Sequence, residues 1–72
     1  MADLELLCVV ALMRDVPEAG LVSGQVGTIV EMVAPEVFEV EFSDDVGRTY
    51  ASLALRASDL LRLHHKRVHQ AP

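Results

Sequence analysis

Tryptophan is absent from these 72 residues, tyrosine and cysteine occur once each, and phenylalanine occurs twice. A single cysteine excludes a disulfide within the chain. Cys8 stands in the run Leu6-Leu7-Cys8-Val9-Val10, with no His, Lys or Arg beside it to activate the thiol. It reads as a small buried hydrophobe, and so low a cysteine count fits a reducing compartment. Positive charge is scarce as well. Residues 1–61 hold all 11 acids against Arg14, Arg48 and Arg56, a net −8, whereas residues 62–72 hold Arg62, Lys66 and Arg67, a net +3. An acidic body repels phosphate backbones and suits a basic partner. Long apolar runs are also missing. Leu4 to Met13 is too short to span a bilayer, and Asp3 and Glu5 stand where a signal peptide needs a basic start. A soluble cytoplasmic protein without a membrane partner is expected.

What the chain has in quantity is aliphatic residues, with 51% of its composition hydrophobic. At this length one domain is expected over residues 1–65, with residues 66–72 as a frayed basic tail. A domain of 60 residues buries only roughly 60% of its unfolded surface. Small domains without disulfides or metal commonly gain stability by oligomerising. The apolar surplus points the same way, because exposed apolar patches commonly mark interfaces.

The stretch Gly24-Gln25-Val26-Gly27-Thr28-Ile29-Val30-Glu31 organises the rest. Two glycines three apart open a β-branched run, which predicts a strand over Gln25 to Val33. Gly27 inside it predicts a bulge or a close approach of backbone. Before it, residues 4–13 are apolar on both faces from Leu6 onward. Val9-Val10 favours a strand covered on both sides over a short helix. Arg14 to Ser23 is a long loop, with Leu21 expected to plug one end of the domain. Ala34-Pro35-Glu36 makes a turn, since proline cannot donate to a ladder.

Val37 to Phe42 alternates cleanly. Phe38, Val40 and Phe42 are set against Glu39 and Glu41, a period-2 strand with one wet face. Ser43 to Gly47 is an acidic turn with glycine at its positive-φ position. Arg48 to Leu55 is a fourth strand, with Tyr50, Ser52 and Ala54 on one side. Ser58 caps a short helical turn before a brief last strand; the other reading is a helix running into the tail. The prediction is therefore an all-β domain, a small SH3-like five-stranded barrel with a short helical turn near its C-terminus.

Candidate chemistry is thin. His64, His65 and His69 are the only metal-like group, and a helical tail would put His65 and His69 on one face. Zinc wants three or four ligands in fixed geometry, and no Cys or carboxylate lies nearby, so a solvated basic tail is the better reading. Asp44-Asp45 before Gly47 reads as turn chemistry rather than an acid/base pair. The glycines from Gly20 to Gly27 lack the Lys and the following helix of a phosphate loop, and the chain has no room for a dinucleotide-binding βαβ unit. Ser23 and Ser52 sit in no nucleophile motif. No catalytic, cofactor or metal residue is assigned. Glu31, Glu39 and Glu41 form a candidate acidic face for a basic protein, with Arg48 as a possible ion-pair partner to one of them. Leu4, Leu7 and Val9 are the candidate self-association residues.

The runs Cys8-Val9-Val10-Ala11-Leu12-Met13-Arg14-Asp15-Val16-Pro17-Glu18-Ala19-Gly20-Leu21, Gly24-Gln25-Val26-Gly27-Thr28-Ile29-Val30-Glu31, Phe38-Glu39-Val40-Glu41-Phe42 and Gly47-Arg48-Thr49 resemble a bacterial domain family of unknown function. The resemblance covers about residues 6 to 63. It departs from the family pattern at Ile29, where Val is usual, and the tail after Leu63 falls outside it. It implies an SH3-like barrel, no catalytic residues, and an antitoxin-like or accessory role, since members stand alone or sit beside toxin-like or mobile-element genes. The Gly24 to Val30 piece is also similar to the KOW element of RNA-binding barrels. Such domains use basic residues and exposed aromatics. With a body of −8, and with Phe38 and Phe42 of the three aromatics on the apparent core face, RNA is not the expected partner. The alternative to a self-associating protein-contact module is nucleic-acid binding through that barrel and the basic tail.

Overall fold

The structure, a computed structural model, describes residues 4–64. Five antiparallel strands form one sheet: β1 (Val9–Leu12), β2 (Val26–Ala34), β3 (Val37–Ser43), β4 (Thr49–Arg56) and β5 (Leu60–Arg62). Their order is β4-β3-β2-β1-β5. Helical geometry is confined, among the described residues, to two single 3-10 turns, Pro17–Ala19 in the first long loop and Ala57–Asp59 before β5.

The period-2 pattern of β3 sets the inner face. Phe38, Val40 and Phe42 are fully buried, and the register lays Leu55 against Phe38, Val40 against Ile29 and Phe42 against Gly27. Val10, Leu12 and Leu60 complete this layer from β1 and β5. The long loop closes one end of it. Val16 and Leu21 form an isolated bridge with both amides bonded, at 2.9 and 3.1 Å, and both side chains are buried. Cys8 belongs to the same core. No polar side chain is buried among the described residues, so the side-chain contacts within this layer are hydrophobic ones.

Gly27 serves a close approach. A Cβ there would lie 2.7 Å from Val40 Cγ1 and 2.8 Å from the Glu41 carbonyl oxygen. The bulges of β2 lie further on, between Ile29 and Glu31 and between Met32 and Ala34.

Three expectations need correction. The apolar run at residues 4–13 is not a strand covered on both sides. Only Val9–Leu12 pairs as strand, and Leu6 and Leu7 are exposed in a turn before it. Leu7 there takes φ 67°, a left-handed conformation costly for a side chain with a Cβ, and its amide donates to the Ile29 carbonyl at 2.7 Å. Ser58 does not cap the second 3-10 turn; it lies inside it, and the N-cap position is Arg56, without a side-chain cap. Finally, Arg48 pairs with Asp44 at 3.1 Å, not with the strand glutamates, because the Asp44 carboxylate lies only four residues away within the same turn.

That turn is organised by one carboxylate. Asp44 accepts from the amides of Arg48 at 2.9 Å and Val46 at 3.0 Å, and from the Arg48 guanidinium. Gly47 takes φ 86° to close it. These bonds, led by the Arg48 amide, outweigh a smaller opposing effect of burial and hold the Asp44 carboxyl below its ordinary range. A depressed carboxylate contributes stability at neutral pH that is lost as pH falls through its lowered folded value. NMR titration of the Asp44 carboxyl is expected to give a midpoint below that of an unstructured aspartate. A midpoint at or above it would remove this account of the turn.

Candidate functional site

The outer face of the sheet divides into an acidic half and an apolar half, and the pairing register decides which residues fall in each. Glu39 and Glu41 point away from the buried Phe38, Val40 and Phe42, as alternation dictates. Across β2, Glu41 faces Thr28 and Glu39 faces Glu31; across β4, they face Ser52 and Ala54. All three predicted acids therefore share one surface. Glu31 reaches it through the first β2 bulge. Strict alternation from the buried Ile29 would turn Glu31 inward, and the extra residue Val30 turns it outward opposite Glu39.

Like charges directly opposite on neighbouring strands are unfavourable. The Ser52 hydroxyl donates to Glu39 Oε2 at 2.7 Å and offsets part of this. Three of the four described arginines are committed elsewhere: Arg14 to Asp59 at 3.1 Å, Arg48 to Asp44, and Arg62 to Glu5 at 3.5 Å; the fourth, Arg56, stands opposite Val37 at the end of β4. None of Glu31, Glu39 and Glu41 has an ion-pair partner among the described residues.

The apolar half lies over β2, β1 and β5. Ala11 faces Val26 on one side and Leu61 on the other, so the three form a cross-strand row. Val26 is 48% and Leu61 52% exposed. Sequence reasoning missed this row, because no local signal tells which strand lies next to β1. The three residues expected in self-association occupy different surroundings. Leu4 is half-buried and packs against the core, Val9 is half-buried in β1, and Leu7 is 77% exposed.

Shallow depressions lie on the surface of the described residues. One of about 420 Å³ lies over the Asp44 turn, between Ser43, Val46 and Tyr50. Another of about 280 Å³ lies between Pro35, Val37 and Arg56. Tyr50 is half-exposed and its hydroxyl accepts from Gln25 Nε2 at 2.8 Å. Among the described residues no group of three or more His, Cys, Asp or Glu is placed to hold a metal. His65, His69 and the basic residues Lys66 and Arg67 lie outside the described residues. No described helix is long and apolar enough to cross a membrane.

The family model described as Domain of unknown function (DUF4926) matches residues 6–62. The chain belongs to this family. The DUF4926 match spans all five strands, both 3-10 turns and the three acids of the outer face. No curated protein and no solved structure matches the chain.

Proposed function

We propose that this chain is a non-enzymatic protein-contact module, an SH3-like barrel that self-associates and takes a basic partner on its acidic outer face. The observation that carries the reading is Glu31 directly across from Glu39, with Glu41 alongside and no cation paired to any of them among the described residues. A cationic partner supplies the counter-charge this row lacks. The strand order supports the barrel, as do the two bulges in β2, which give a short sheet the curl it needs.

Glu31→Gln separates this row's effect on folding from its effect on binding. Removing one of two facing charges is expected to stabilise the isolated domain by about 0.2–1 kcal/mol in urea unfolding at low salt. The same change is expected to weaken salt-sensitive binding of a lysine-rich peptide. A variant less stable than the parent, or binding the peptide equally well, would overturn the role given to the row. Self-association is read by light scattering over a concentration series. A molar mass above that of one chain is expected, and a monomer throughout would dismiss it.

A further inference from the structure

β4 is an outermost strand of the sheet, and its free edge is eight residues long. Sheet edges are normally protected by lysine, proline, a bulge or a covering segment, because their unpaired amides and carbonyls recruit further strands. Thr49-Tyr50-Ala51-Ser52-Leu53-Ala54-Leu55-Arg56 contains neither lysine nor proline, and its one charge is at the end. Its one irregularity lies where the pairing shifts between Phe42 and Ser43, beside Tyr50. No described strand pairs with this edge.

The direction of the free groups follows from the ladder. The amide of Ala57 donates to the Glu36 carbonyl at 2.8 Å, toward β3. Alternation then points the amides and carbonyls of Leu55 and Leu53 toward β3, and those of Arg56, Ala54 and Ser52 away from the sheet. Beyond Ser52 the bulge beside Tyr50 interrupts the alternation. The regular free edge is therefore centred on Ala54.

We infer that β4 pairs antiparallel with β4 of a second copy, about a two-fold axis at Ala54. This rests on the self-association reading above and assigns it a surface. A second copy fits because the strand is complementary to itself in this register. Ala54 meets Ala54 of the partner subunit, and Ser52 meets the partner subunit's Arg56, so no like charges face each other. About six backbone hydrogen bonds form, two for each of the three paired positions. On the inner face Leu53, half-buried in one chain, meets the partner's Leu55. On the outer face the charges match. Arg56 makes no ion pair among the described residues, and Glu41 stands beyond the small Ser52 on β3. Across the axis, Arg56 of the partner subunit extends over Ser52 toward that glutamate. The closed two-fold arrangement uses up both β4 edges and stops at a dimer.

Ala54→Pro tests the edge directly. It removes an outward amide only, so the bonds of β4 to β3 remain, and edge strands tolerate proline for that reason. Light scattering and sedimentation of the full chain are expected to show a dimer for the parent and at least about a tenfold weaker dimer for the proline variant. Circular dichroism checks that the fold is kept. Arg56→Glu gives an independent reading that spares the backbone: it is expected to weaken the dimer, and adding Glu41→Arg is expected to restore it. A dimer unmoved by both Ala54→Pro and Arg56→Glu would overturn the edge assignment and leave self-association standing. A monomeric parent would overturn both, with the edge left to a strand from another protein or to the chain's own terminal residues.

Discussion

Phe42→Ala is expected to lose about 3–5 kcal/mol of folding stability, the range for deleting a fully buried aromatic ring. Phe42 has no exposed surface and faces Gly27 on β2 and Ala51 on β4. Both neighbours are small, so neither can extend into the space the ring leaves. A chain of this size has roughly 4–11 kcal/mol in total, at the usual increment per residue. The variant is therefore expected to be largely unfolded near room temperature, or to melt with a much lower midpoint in urea. A loss of less than about 1.5 kcal/mol would mean that the sheet closes over the gap, contrary to the packing described.

Gly27→Ala attacks the same contact from the other side. The added methyl would meet Val40 Cγ1 at 2.7 Å, the Glu41 carbonyl at 2.8 Å and Phe42 Cδ1 at 3.0 Å. A valine methyl can rotate away, but the carbonyl belongs to the β2–β3 ladder and moves only with the strand. The expected cost is about 1–3 kcal/mol, typical of overpacking. The sign is informative, because alanine in place of glycine at an unstrained, open position stabilises a protein. A neutral or stabilised Gly27→Ala in urea unfolding would show that the strands do not meet this closely.

These two residues also mark how far the sequence could be read. Phe42 was legible because β3 has one wet face, so alternation alone assigns its inner and outer residues. Gly27 was legible as a special position, though not as the close approach rather than the bulge. The bulges at Val30 and Val33 left no trace, since a shift of register is a property of two strands and the run Ile29-Val30-Glu31-Met32-Val33 looks uniform from within one. That is why Glu39 and Glu41 follow from local pattern, whereas Glu31 joins them only through pairing. Residues 4–7 were misread for a related reason. A continuous apolar run carries no periodicity, and only hydrogen bonding, here the Leu7 amide to Ile29, determines where strand begins. The free edge of β4 could not be read either, because neighbour order is not local information.

The placement of β5 beside β1 has a bearing on the order of events in folding. The meander β2-β3-β4 joins neighbours in sequence through short turns, so its loops close with little loss of chain entropy. Joining β5 to β1 ties together the two ends of the described chain, Val10 to Arg62, through only three residues of strand. Contacts so distant in sequence and so few in number form late in folding and open early under native conditions. The meander is then expected to be the slow-exchanging body in hydrogen exchange, and β5 a clasp whose release exposes the edge of β1 it covers before the rest of the sheet unfolds.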